Sequence, residues 1–391
     1  MVLAPSIFAQ NYVVERHLST KTPYEQRQSL SRGNSPAYSP KHGSSQPLFT
    51  YWLARHGTRW PTQKRMQQIQ ELQNVFKLAG QEAEQAHPWV NKWTNPFKDS
   101  IHLAGHLHPK GVKEMQHMGQ DFKKYLLAVK DQELLVSVEV HATAKARTQD
   151  SAKAFMQGLY GGTHTYTDCQ AYDEYVAQTD ADFLDAWKQQ EWCAHIPRLA
   201  EGLGLDPGML TGRHVDALWH LCQQEAGLWN ITHQACSLFP SQEAQHMEWV
   251  DDVQLFMRKG AASPVAYNMA APLLADIATS LQEAAAGTGR SGLHAKLTFG
   301  NPGEAMQSWA PPLPKPPKPR KWHGSMIAPY GANIQATKKQ GGGHCVEVLY
   351  NGKRVELPGC HHTQGLCSLE SFLETTQSQR SPTAFNHACR I

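Results

Sequence analysis

The 391 residues contain no run approaching the roughly 18 consecutive apolar residues that a membrane-spanning helix requires, so a span is excluded. Charge of one sign is scarce as well. Lys and Arg number 37 against 34 Asp and Glu, a net +3, and no nucleic-acid partner is expected from so mild a balance. No fixed-period repeat is visible, which excludes a solenoid. Gly-x-Ser-x-Gly is absent, removing the usual serine-hydrolase elbow. Gly341-Gly342-Gly343 lacks the Lys-Ser/Thr ending of a phosphate-binding P-loop. The spacing of Cys360-His361-His362 and Cys367 fits no strong zinc pattern, and disulfide bonding explains these cysteines better. His102, His106 and His108 precede Pro109 in a loop, as solvated or substrate-rim residues. No metal or cofactor is therefore expected.

What is present is a chain with 40% apolar residues, neither disordered nor fibrous in composition, and long enough for one large domain plus an insertion. Eight cysteines (169, 193, 222, 236, 345, 360, 367, 389) form an even set that suits disulfides in an oxidising compartment, with their connectivity open. Asn230-Ile231-Thr232 is a glycosylation sequon. Ile7-Phe8-Ala9 is a short apolar piece without a basic leader, at best a clipped secretory signal. A secreted or endoplasmic-reticulum lumenal location is expected.

Residues 1–46, polar and rich in Ser and Pro, read as an irregular arm across the surface. Leu48 to Ala54 is a short apolar and aromatic run, a buried strand. Pro61 then opens a helical pattern with Met66, Ile69, Leu72, Val75 and Phe76 on one face. Leu134 to Thr143 alternates Val136, Val138 and Val140 as a second strand, followed by a helix carrying Ala152, Phe155, Met156 and Leu159. From 181 to 287 helical periodicity takes over. Strand character returns at Leu293 to Phe299, before a proline-laden loop from Pro311 to Arg320. Cys345 to Tyr350 and Arg354 to Leu357 flank Asn351-Gly352, a hairpin turn. The expected fold is thus α/β, a mainly parallel central sheet flanked by helices with an inserted all-helical cap domain. The domains are expected as the arm 1–46, the α/β domain 47–180 with 288–391, and the helical insertion 181–287.

The chemistry is concentrated in Arg55-His56-Gly57-Thr58-Arg59-Trp60-Pro61-Thr62, at the carboxyl end of the first strand, where ligands of open α/β sheets bind. Arg supplies planar bidentate donors for phosphate oxygens, and imidazole supplies a nucleophile that works in mild acid. Gly57 lets phosphate approach the backbone. Five fixed positions, RHGxRxP, arise by chance in roughly one chain of this length per ten thousand.

This octet resembles the signature of the histidine acid phosphatases. The Thr after Gly, with Leu18-Ser19-Thr20-Lys21-Thr22-Pro23-Tyr24 upstream, resembles the multiple inositol polyphosphate phosphatase (phytase-like) branch. Ala142-Thr143-Ala144-Lys145-Ala146-Arg147 with Asp150-Ser151-Ala152 resembles the second strand end of that family. Further similar stretches are Leu107-His108-Pro109-Lys110-Gly111, Cys222 with Cys236 to Phe239, Ala328 to Asn333, Glu356 to Cys360, and Leu366 to Glu370. The resemblance implies a histidine phosphatase-like fold and metal-free hydrolysis of a small anionic phosphate ester. The substrates it implies are phytate and lower inositol phosphates, with bisphosphoglycerate as a side activity. It implies that His56 is the catalytic nucleophile, forming a phosphohistidine, and that Arg55, Arg59 and Arg147 bind the substrate phosphate.

One family element is missing. A His-Ala-Glu motif that protonates the leaving alkoxide is expected after a strand like Ala295 to Gly300, yet Gly300 is followed by Asn301-Pro302-Gly303-Glu304. Either a segment has been skipped, as in a splice form or incomplete gene reading, or the chain is an inactive or impaired pseudo-phosphatase that binds inositol polyphosphates. Substitution by Glu304 is a third reading. Ile334 to Lys339 is also too polar for the doubly buried strand expected there, leaving the core in question.

Overall fold

The computed structural model describes residues 13–26, 47–129, 137–159, 164–166, 184–259, 265, 268–287, 294–299, 315–316, 318–320, 323–339, 344–355, 357, 360, 366–378 and 380. Its centre is an eight-stranded mixed sheet. The strands are β1 (Pro47–Ala54), β2 (Ser137–Thr143), β3 (His164–Tyr166), β4 (His294–Phe299), β5 (Asn333–Lys339), β6 (Cys345–Tyr350), β7 (Lys353–Arg354) and β8 (Cys367–Ser368). Their order is β3-β2-β4-β1-β5-β6-β7, with β8 also on β6. The first four run parallel, and pairings from β5 onward are antiparallel.

Period-two alternation in β1 divides its side chains between two cores. Trp52 and Ala54 join the cluster formed with helices α2 (Pro109–Val129) and α3 (Ala146–Leu159), the helix α1 (Gln63–Leu78) lying earlier in the chain. Tyr51 and Leu53 join Ile277, Ala278 and Leu281 on the other face. These four strand residues are completely buried, which explains why β1 reads as a continuous apolar run. The helix α1 begins at Gln63, two residues beyond Pro61, because the Pro61 carbonyl accepts from the Gly105 N–H rather than from the helix.

Between β3 and β4 the described chain is helical: α4 (Asp185–Cys193), α5 (Gly212–Trp229), α6 (Ser241–Lys259) and α7 (Ala271–Ala285). Met66, Ile69 and Leu72 of α1 pack with Val215, Leu218 and Trp219 of α5 and Met247 and Val250 of α6 in a third core. Disulfides Cys222–Cys236 and Cys360–Cys367 are formed, and the latter removes its cysteines from any zinc set. Full pairing is not met among the described residues, since Cys193 and Cys345 are free thiols; Cys169 and Cys389 lie outside them.

Two expectations are corrected. The polar β5 is paired on both sides and buried, with Gln335, Ala336 and Thr337 each 1% exposed. Burial is tolerated because the polar groups bond one another: Gln335 Nε2 donates to Thr337 Oγ1 at 3.1 Å, Thr337 meets Thr50 at 3.3 Å, and the Tyr125 hydroxyl bonds both Gln335 and Thr337. The described part of the N-terminal arm, residues 13–26, is not a surface strand of coil. Leu18, Thr22 and Tyr24 are buried, the Tyr330 N–H donates to the Thr22 carbonyl, and Gln223 Nε2 donates to the Leu18 carbonyl. The hairpin turn does form as expected, with Asn351 and Gly352 both at positive φ. Gly161-Gly162, Gly341 to Gly343 and the segment 300–314 lie outside the described residues.

A buried ionic clasp ties three distant segments together. Arg320 bridges Glu248 (3.0 Å) and Asp252 (2.7 Å) of α6, His17 and His323 meet the same Glu248 oxygen, and Ser19 and the Gly324 N–H donate to Asp252. The single guanidinium offsets one of the two negative charges, and burial, with the neighbouring Glu248, pushes the Asp252 pKa well above its usual value. Because the two carboxylates are fully buried, Arg320→Ala is expected to cost about 3–5 kcal/mol. Urea unfolding measures it, and a loss below about 1 kcal/mol would contradict the clasp.

Candidate active site

The parallel register aligns the carboxyl ends of β1, β4 and β2: Ala54 pairs with Phe299, which pairs with Ala142. Arg55 and His56 leave the sheet from β1, while the turn after β2 runs into α3, where Arg147 is the second helical residue. The carboxyl end of β4 therefore lies between them.

His56 is 6% exposed. Its Nδ1 lies 2.8 Å from the Gly57 carbonyl, which can only accept, so Nδ1 carries the ring proton and Nε2 presents a lone pair. Burial first, then the charges of Arg55, Arg59 and Arg147, hold the imidazole well below its usual pKa. The structure thus brings all three sequence-predicted arginines within electrostatic reach of the predicted nucleophile.

Each arginine is held differently. The Arg55 guanidinium donates to the carbonyls of Thr20 (2.9 Å) and Ala328 (2.6 Å) and lies 4.9 Å over the Tyr330 ring. Burial is the largest cause lowering its pKa to about 10, with Arg59 and Arg147 adding to it. Arg59 donates through Nη1 to the Trp60 carbonyl at 2.8 Å, but its Nε is buried with no hydrogen-bond partner among the described residues. Such an orphan donor costs about 1–3 kcal/mol unless a ligand accepts from it. Arg147 stands in the first turn of α3, and its carbonyl accepts from Ser151 Oγ, which in turn accepts the Gly57 N–H at 3.1 Å. The two strand ends are joined through that serine.

Sequence reasoning missed the supports of this loop. Glu114 of α2 accepts both the Thr58 N–H and the Thr58 hydroxyl at 2.8 Å, fixing the residue between His56 and Arg59. A Cβ on Gly57 would meet the Gly111 carbonyl at 2.6 Å, so glycine is needed at 57 for contact with α2. Tyr330 lies 5.8 Å from the His56 ring, and the Gly331 N–H donates to the His56 carbonyl. Lys21, in the turn Ser19–Lys21, is influenced by Arg59, Arg55 and Arg65 and by Asp251. The one signal for Lys21 and Tyr330 was their membership of stretches already singled out. His108 is buried at the entrance to α2, accepting from the Lys110 N–H and packed 4.7 Å from Trp60, whereas His102 and His106 are exposed. Glu304 lies outside the described residues.

The fold and motif have known counterparts. The model of the histidine phosphatase superfamily (branch 2) matches residues 49–189 and 162–301. Multiple inositol polyphosphate phosphatase 1 of Gallus gallus is 23% identical over 296 residues, 68% of this chain and 64% of that protein, and the Homo sapiens protein is 21% identical over 307 residues, 68% and 63%. The chain thus spans less than two thirds of the length of these curated relatives. Among solved structures, the phytase of D. castellii superposes with a TM-score of 0.75 at 14% identity, covering 98% of this chain and 91% of that one. The Bifidobacterium longum multiple inositol polyphosphate phosphatase in complex with inositol hexasulfate gives 0.64 at 15%, covering 94% and 99%.

The environment of Glu114 has a pH signature. Burial, outweighing its bonds to Thr58, raises its pKa from 4.5 to about 7. A carboxyl raised on folding stabilises the fold below its unfolded pKa and loses that contribution as pH rises through the folded one. The stability of wild type relative to Glu114→Gln is therefore expected to fall by about 3 kcal/mol between about pH 4.5 and pH 8. Urea unfolding at both pH values checks this, and a pH-independent difference would contradict it.

Proposed function

Because this chain belongs to the histidine phosphatase superfamily, branch 2, we propose that it hydrolyses phosphomonoesters of inositol polyphosphates, phytate and its lower phosphates, through a phosphohistidine on His56. One observation carries this: a buried neutral imidazole with its Nε2 lone pair free of the Gly57 bond, under the charge of Arg55, Arg59 and Arg147. Supporting it are the likeness to proteins named as inositol polyphosphate phosphatases and phytases, and the orphaned Arg59 donor. The two disulfides support an oxidising, secreted or lumenal compartment.

In the proposed reaction the Nε2–P bond forms as the ester P–O bond breaks, and the alkoxide leaves with the bonding pair. The three guanidiniums hold the equatorial oxygens as charge develops. Water then attacks phosphorus, its proton passes to solvent, and the N–P pair returns to Nε2. Depression of the His56 pKa keeps the nucleophile unprotonated in mild acid. No metal is required by this sequence of steps.

A second reading, a pseudo-phosphatase that binds inositol polyphosphates, is favoured by one observation. The residues that follow β4 in the sequence are Gly300-Asn301-Pro302-Gly303-Glu304, with no His-Ala-Glu. Without a donor, esters of acidic alcohols, which need no protonation on leaving, should be cleaved about 100-fold or more faster than alkyl esters. The purified chain is therefore expected to release phosphate from p-nitrophenyl phosphate at such an advantage over phytate, with both activities abolished by His56→Ala. Equal inactivity of wild type and His56→Ala, with phytate still bound, would replace the enzymatic reading by the binding one.

A further inference from the structure

The strap that crosses the site carries a cation that the proposed chemistry does not use. Lys21 ends the turn Ser19–Lys21, and that turn is fixed from several sides. Ser19 sits at a positive φ of 48° with its hydroxyl on Asp252, and the Thr20 carbonyl accepts the Arg55 guanidinium. The Lys21 carbonyl lies 3.1 Å from where a Cβ on Gly227 would stand, so the backbone is seated against α5. The Lys21 ammonium has three donors, and the one acceptor it meets among the described residues is the neutral hydroxyl of Thr20 at 3.2 Å.

Its charged surroundings are unfavourable for a cation. Arg55 and Arg59 face it from the signature loop and Arg65 from α1, against the carboxylate of Asp251 on α6. Asp251 is itself shared with Lys188, 3.2 Å away, and faces His220. Burial is the first cause, and these guanidiniums the next, lowering the Lys21 pKa to about 7. An anion at the amine would compensate for both, since it supplies the missing acceptors and the missing negative charge.

We propose that Lys21 is a substrate contact that binds a second phosphate of a polyphosphorylated substrate, beside the phosphate held by Arg55, Arg59 and Arg147, and so favours the binding, though not the turnover, of polyanions over simple monoesters. This rests on the phosphatase reading given above. It assigns to one side chain the preference for crowded phosphates.

Two measurements on the full chain test it. In steady-state kinetics, Lys21→Met is expected to raise KM for phytate at least about 10-fold more than for p-nitrophenyl phosphate, while Lys21→Arg retains most of the wild-type preference. Equal losses on the two substrates, or none on phytate, would overturn the assignment; turnover of the monoester shows that each variant is folded. In calorimetry at about pH 8, inositol hexasulfate serves as a probe without groups that titrate there. Wild type should take up a proton on binding it, seen as a dependence of the heat on buffer ionisation. Lys21→Met should lose both that uptake and at least about 10-fold in affinity, and Lys21→Arg should lose the uptake alone. Wild type that binds the probe without turning over either ester refutes the phosphatase reading, and the calorimetry still decides Lys21. Wild type that does not bind the probe refutes both.

Discussion

Like charges repel, and this pocket gathers three guanidiniums around one imidazole. The fold makes the arrangement tolerable mainly with neutral oxygen. Arg55 rests on two backbone carbonyls and an aromatic face, and Arg59 on a third carbonyl. Carboxylate partners would neutralise the cations and compete with an anionic ligand, whereas carbonyl dipoles orient the guanidiniums and leave their charge in force. The same economy governs His56, whose proton is parked on Nδ1 by a carbonyl of its own loop. The uncompensated positive charge of the site is therefore a property of its backbone as much as of its side chains.

That backbone is held from outside the signature. Glu114 grips Thr58, Gly111 abuts Gly57, Ser151 links Gly57 to the Arg147 carbonyl, and the Tyr330 segment closes against His56 and the strap. These supports come from three separate parts of the chain, and each acts at least in part on a main-chain atom or a glycine. Rigid placement of the loop follows from packing of α2 and α3 on the sheet, whose shared core includes Trp52, Phe122 and Phe155.

Much of this was legible before any coordinates. β1 announced itself as a short aromatic run, α1 by Met66, Ile69 and Leu72 at helical spacing, and the β6–β7 turn by Asn351-Gly352. The signature loop was legible because its chemistry is local, five residues within seven positions. Glu114 was not, because a single acid in an amphipathic helix carries no pattern that says it faces inward. Lys21 was hidden for the opposite reason: polar residues 1–46 suggested an exposed arm, and only tertiary contacts reveal that its described part is seated between α5, α6 and the loop that follows β1. β5 misled because its polarity was read as a test of burial, while Gln335, Thr337, Thr50 and Tyr125 bond one another within the core, leaving Gln335 Oε1 without a partner among the described residues.

The clasp around Arg320 bears on the order in which the molecule can be made. The strap contacts α6 and the segment from Arg320 to Ser325, and β1 lies between β4 and β5, so these residues depend on partners that are synthesised much later. During synthesis His56 and its arginines emerge long before the strands that flank them, and β1 must wait, apolar on both faces, with no neighbours to pair with. Native pairing therefore cannot cover β1 until both β4 and β5 have been synthesised, and an unpaired apolar strand is open to aggregation over that interval.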